Sequence, residues 1–125
     1  MKKLSPGILL FAGVMLLVPG AGRAGEADVV DATIERRVDG TFIVHATVRH
    51  GDEGWDHYAN GFDVLGPDGT VLGTRVLAHP HVNEQPFTRS LGGLNVPAGV
   101  ARVTVRAQDS VHGHGGVSVV LEMPR

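Results

Sequence analysis

The amino-acid sequence predicts an all-β fold, a seven-stranded antiparallel β-sandwich. Seven short runs rich in β-branched and apolar residues recur at intervals of roughly 8–12 residues, the spacing of a sandwich or barrel. Clusters of Gly, Pro, Asp and Asn separate them. No window shows the apolar spacing and end caps of a helix.

Asp28–Arg37 alternates, with Val30, Ala32 and Ile34 on one face and Asp31, Thr33 and Glu35 on the other, the period of a half-buried strand. Val38-Asp39-Gly40 follows, and Asp-Gly between alternating runs signals a hairpin. In Thr41–His50, Phe42, Val44, Ala46 and Val48 face inward, and Thr41, His45, Thr47 and Arg49 outward. Residues 51–61 hold the only Trp and the only Tyr and read as a loop by composition. Phe62–Leu65 is a short strand that ends at Gly66-Pro67-Asp68-Gly69, where proline presets φ and glycine supplies the freedom for a tight turn. Thr70–Ala78 returns, and His79-Pro80-His81-Val82-Asn83-Glu84-Gln85-Pro86 forms a polar loop bounded by proline. Phe87–Leu91 is the fifth strand. Val100–Gln108 is the sixth, with Val103, Val105 and Ala107 on one face. After the glycine-rich stretch 109–116, Val117–Met123 is the last strand, with Val117, Val119, Leu121 and Met123 inward.

Residues 1–24 read as a signal peptide and residues 25–125 as the domain. Lys2 and Lys3 precede the uncharged run Gly7–Val18, Pro19-Gly20 breaks it, and Gly22-Arg23-Ala24 has the small residues of a processing site. Cleavage is expected after Ala24, with Gly25-Glu26-Ala27 as a second site. The apolar run is short of the roughly 20 residues that span a bilayer, and no twin-arginine pair precedes it, which favours Sec export. The expectation is a periplasmic or secreted protein with no stable membrane anchor after cleavage. The chain has no cysteine, so neither a disulfide nor a thiol-linked lipid can form on it.

Of 11 basic residues, Lys2, Lys3 and Arg23 fall in the leader, leaving eight against 13 acidic ones and a net charge of −5 with neutral histidines. No lysine remains after Lys3. Such a surface is a poor match for nucleic acid or anionic lipid and suits cations or neutral ligands.

Each strand of an antiparallel sandwich spans the layer, so connections alternate between its two ends. Stretches 50–61, 78–86 and 109–116 therefore share one end, and the Asp-Gly turns share the other. The first set carries six of the seven histidines: His50, His57, His79, His81, His112 and His114. Taken alone, His50 reads as a solvated loop residue. Asp109-Ser110 reads as a turn cap, Trp55 and Tyr58 as a cover over the core's open end, and Arg89 as the partner of an acidic neighbour.

The seven-strand order and the run Val96-Pro97-Ala98-Gly99-Val100-Ala101-Arg102-Val103-Thr104-Val105-Arg106-Ala107 resemble fibronectin type III and immunoglobulin-like domains over residues 28–124. Val103 stands where their sixth strand usually carries an aromatic, and the second strand has no Trp. Gly-Trp-Asp-His-Tyr, His-Pro-His-Val-Asn-Glu-Gln-Pro-Phe-Thr-Arg-Ser and Asp-Ser-Val-His-Gly also resemble segments of a group of small exported bacterial proteins. The resemblance implies an architecture, and such sandwiches host many functions.

Residues two apart on an extended segment point the same way, so His79 and His81 can present both imidazoles to one side, and so can His112 and His114. Neutral imidazole suits zinc and copper(II). The expected metal ligands are His79, His81, His57, His112 and His114, with Glu84, Asp56 or Asp109 as a further ligand or a support behind one. The leading expectation is an exported metal-binding module that handles zinc or copper(II), with a protein partner in the cell envelope as a further expected contact. A metal-free module binding a protein or carbohydrate through Trp55, Tyr58 and the same loops is the alternative. A metalloenzyme with Glu84 or Asp56 as general base lacks any catalytic motif to support it.

Overall fold

The computed structural model describes residues 15–18 and 25–124. Lys2, Lys3 and the processing sequence Gly22-Arg23-Ala24 lie outside them. Two antiparallel sheets face one another. One is ordered β1-β8-β7-β4-β5 and the other β2-β3-β6. The strands are β1 (Met15–Val18), β2 (Asp28–Arg36), β3 (Phe42–Arg49), β4 (Ala59–Leu65), β5 (Val71–Val76), β6 (Phe87–Leu94), β7 (Arg102–Asp109) and β8 (Ser118–Glu122). β2 to β8 are the seven expected strands. β1 comes from the apolar run expected to be a leader and pairs along the outer edge of β8, Met15 opposite Leu121. No helix among the described residues is long and apolar enough to cross a membrane.

Strand alternation builds the core. Phe42, Val44, Ala46 and Val48 of β3 share one core cluster with Val103, Val105 and Ala107 of β7, Val119 and Leu121 of β8, and Phe62 and Val64 of β4, the strand beside β7. All described core side chains lie at or beyond Ala27. β4 is flanked by β7 and β5 and is buried on both faces, which weakens its period-two pattern, and the strand starts at Ala59 rather than at the expected Phe62. In β2 the alternation shifts at a bulge between Val29 and Asp31. Val29, Ala32 and Ile34 are buried, and Val30, expected inward, is only half-buried. An extra residue in one strand flips the facing of those beyond it.

The two Asp-Gly turns are built alike. Asp39 Oδ1 accepts the Thr41 N–H at 2.9 Å, and Asp68 Oδ1 accepts the Thr70 N–H at 3.0 Å. Gly40 (φ 88°) and Gly69 (φ 86°) take the left-handed conformation between them, which costs glycine little. At the opposite end the three longer loops meet. The His50 N–H donates to Gln85 Oε1 at 2.9 Å, the His81 N–H to Asp52 Oδ2 at 2.7 Å, and the Ser110 N–H to the Tyr58 carbonyl at 2.9 Å.

Phe62 is the largest fully buried side chain. Phe62→Ala is expected to cost about 3–5 kcal/mol through lost burial and the cavity left behind, read as a lowered urea midpoint with little change in slope.

Candidate metal centre

The site continues the inward faces of the strands beyond their apolar residues. Phe42, Val44, Ala46 and Val48 put His50 on the inner side where β3 ends. Val103, Val105 and Ala107 do the same for Asp109 at the end of β7. His57 stands two residues before the buried Ala59 of β4, and Gly25 two before the buried Ala27. One group from each of four neighbouring segments therefore reaches a common point. Among the described residues, His50, His57 and Asp109 form the group whose ligand atoms lie within 4.8 Å of one another.

Asp52 sets the geometry of His50. It is buried and accepts the Ala59 N–H on Oδ1 at 3.0 Å and the His81 N–H on Oδ2 at 2.7 Å. His50 Nδ1 donates its N–H to Asp52 Oδ1, 2.6 Å away. In the same way His57 Nδ1 donates to the exposed Glu53 carboxylate at 3.0 Å. Each imidazole thus holds a proton on Nδ1 and, when neutral, turns a bare Nε2 inward.

The two Nε2 atoms are 3.2 Å apart. Asp109 Oδ2 lies 3.1 Å from His50 Nε2 and 2.5 Å from His57 Nε2. The Gly25 carbonyl oxygen lies 2.8 Å and 3.1 Å from the same atoms. Four lone-pair atoms converge, and neutral imidazoles supply no proton between them. A proton on Nε2, or a cation, relieves that. Metal bonds of about 2.0–2.2 Å in a tetrahedral shell separate ligand atoms by roughly 3.3–3.6 Å, so to take an ion the longer contacts open by a few tenths of an ångström, the His50–Gly25 contact by somewhat more, and the His57–Asp109 contact by about 1 Å.

Asp109 is held by its own turn. Its Oδ1 accepts the His112 N–H at 2.8 Å, and its Oδ2 accepts from His112 Nδ1 at 2.8 Å. The turn cap read from the sequence is therefore present, and the same carboxylate also faces the imidazoles. Burial would raise the Asp109 carboxyl, but the bonds from His112 and His57 overcome it and hold it below its ordinary value. Burial likewise works against the charged form of His57. Its bonds to Glu53, Asp109 and the Gly25 carbonyl outweigh this and raise its pKa.

Apart from His112, the other expected ligands stand away from this point. His81 is buried, with its ring stacked 4.0 Å from that of Phe87 and Nδ1 donating to Glu84 at 3.1 Å. His79 is exposed beside it, with ring centres 4.8 Å apart. His114 reaches Asp63 at 3.1 Å, on the face of β4 turned away from the core. Asp56 is exposed. His112 lies against the site, its ring 4.9 Å from that of His57, and it orients Asp109. Glu84 also meets Arg89 at 3.6 Å, as expected. Trp55, expected over the core, is 68% exposed and meets Tyr58 edge-on at 5.6 Å.

Sequence reasoning missed His50 and Gly25. His50 is 2% exposed rather than solvated. Its signal was the parity of β3, which assigns position 50 to the same face as Val48. Gly25 carries no side-chain signal, because the atom that reaches the cluster belongs to the backbone.

Comparison with curated proteins finds a relative in Halomicrobium mukohataei (strain ATCC 700874), named "Putative lipoprotein". It is 39% identical over 97 residues, 78% of this chain and 47% of the relative. The chain thus spans about half the length of that protein. No family model matches the chain, and no solved structure matches it.

Two outcomes follow from this geometry in the metal-free protein. Asp52→Ala leaves three N–H donors without their acceptor and is expected to cost about 3 kcal/mol or more in chemical denaturation, since each unmet buried donor costs about 1–3 kcal/mol. With chelator present, stability depends on pH in two limbs. The raised His57 contributes fully below its ordinary value of 6.5, and that contribution is lost as pH rises through its folded pKa. The lowered Asp109 contributes above its ordinary value of 3.8, and that contribution is lost as pH falls through its folded pKa. The melting midpoint is expected to be highest between these limbs. His57→Ala should flatten the upper limb and Asp109→Asn the lower one.

Proposed function

We propose that the protein is an exported metal-binding module that holds zinc or copper(II) through His50 Nε2, His57 Nε2 and Asp109 Oδ2, with the Gly25 carbonyl oxygen as a fourth donor. The observation that carries this reading is the inward convergence of bare lone pairs on two imidazoles whose Nδ1 protons are committed to Asp52 and Glu53. A carboxylate behind a ligating imidazole, fixing its tautomer and raising its basicity, is the usual support of a metal-bound histidine. Nitrogen and oxygen donors without sulfur suit zinc and copper(II).

Export follows from the leader read at residues 1–24, and the name of the Halomicrobium mukohataei relative agrees with it. A lipid on a thiol does not carry over to these 125 residues, which contain no cysteine. We assign the sandwich to the fibronectin III or immunoglobulin-like kind, on the strength of a β2-β3-β6 sheet facing a β8-β7-β4-β5 face. A metal-free interaction module is the second reading. It is favoured by the exposure of Trp55, Val82 and Val111 on the loops of the same end.

A tag-free preparation titrated with zinc or copper(II) separates the two readings. At a metal concentration 100 times Kd the native state gains about 2.7 kcal/mol, a rise in melting midpoint of roughly 10–20 °C for a domain of this size. His57→Ala and Asp109→Asn are expected to abolish the rise, and His79→Ala and His114→Ala to retain it. A wild-type midpoint that neither metal moves overturns the proposal and favours the interaction module.

A further inference from the structure

One donor in the cluster is a backbone atom, and it belongs to the residue that the expected processing step would make the first of the chain. Gly25 O lies 2.8 Å from His50 Nε2 and 3.1 Å from His57 Nε2. Ala24, immediately before it, ends the small-residue sequence that a signal peptidase reads. We propose that leader removal after Ala24 completes the metal site, with the α-amine and carbonyl oxygen of Gly25 chelating the ion held by His50, His57 and Asp109. The inference rests on the metal-binding reading.

Nitrogen and carbonyl oxygen of one residue are linked through Cα and C, so an ion bound to both closes a five-membered ring. In the Ala24–Gly25 peptide bond that nitrogen donates its lone pair to amide resonance and offers none to a metal. Hydrolysis of the bond gives an α-amine with an ordinary pKa of about 7.7–8.0. The ammonium releases one proton on binding, and its nitrogen lone pair becomes a ligand.

The site also has a reason to begin with glycine. A Cβ at position 25 would stand 3.1 Å from His112 Cε1 and 3.6 Å from His57 Cε1, so this backbone lies directly against the two rings. The rival destination for the new ammonium is the adjacent Glu26, whose Oε1 is buried and has no hydrogen-bond partner among the described residues. Metal capture through the amine makes binding a property of the processed form, so that the unprocessed chain binds less tightly.

The sequence provides a selective probe. No lysine follows Lys3, so within residues 25–125 the α-amine is the sole primary amine that an acylating reagent can modify. The exported, processed, tag-free protein is examined by mass spectrometry to establish its first residue, then acetylated and titrated with zinc and copper(II) against a chromogenic chelator. Acetylation is expected to weaken binding at least tenfold, and bound metal is expected to slow acetylation of the unmodified protein at least tenfold. Equal affinity with and without the acetyl group, or a first residue other than Gly25, overturns the inference and leaves the histidine–aspartate site standing. A lower metal-free melting point after acetylation with unchanged affinity assigns the amine to Glu26 and also overturns it. Absence of binding by the unmodified protein defeats the metal-binding reading itself.

Discussion

The Asp52 carboxylate is the constraint on which this end of the molecule depends. A buried charge without partners is strongly unfavourable, and here three N–H groups from three places meet it. They are the ring of His50 at the end of β3, the backbone of Ala59 at the start of β4, and the backbone of His81 in the loop before β6. Two long loops are thereby tied to each other and to a central strand. The same contact settles the tautomer of His50, and the tautomer decides that its lone pair points into the molecule.

From that contact outward, the site is a continuation of the core. The two sheets bring apolar side chains together along most of their length. At one end the inward positions change from Val and Ala to His50 and Asp109. Groups fixed at strand ends, with a hydrogen-bonded layer behind them, are held more closely than groups on free loops. Asp109 is anchored by His112, His50 by Asp52 and His57 by Glu53. The opposite end closes with two Asp-Gly turns whose glycines absorb the reversal, and the site is built on the end with longer connections.

Protons and metal ions compete for the same atoms. The bonds that raise His57 favour a positive charge at the cluster, and the bonds that lower Asp109 keep a negative one beside it. An imidazolium satisfies this field in the metal-free protein. On the metal-binding reading proposed above, a divalent ion would satisfy it with more charge and displace the proton.

The sequence by itself determined the sandwich, because period-two alternation and Asp-Gly turns are local properties written in neighbouring residues. It also determined that loops rich in histidine share one end, since parity follows from counting strands. His57, His112 and Asp109 were legible as candidates on that basis. His79 and His81 were the most conspicuous pair, yet one ring stacks on Phe87 and the other is exposed. Sequence spacing does not say which way a ring turns once its neighbours pack. His50 was legible only by carrying the inward parity of β3 one step past its end. The bulge at Val29, the two-sided burial of β4 and the arrival of the Gly25 carbonyl were decided by tertiary structure alone. Each depends on how separate strands align, and no run of neighbouring residues encodes that alignment.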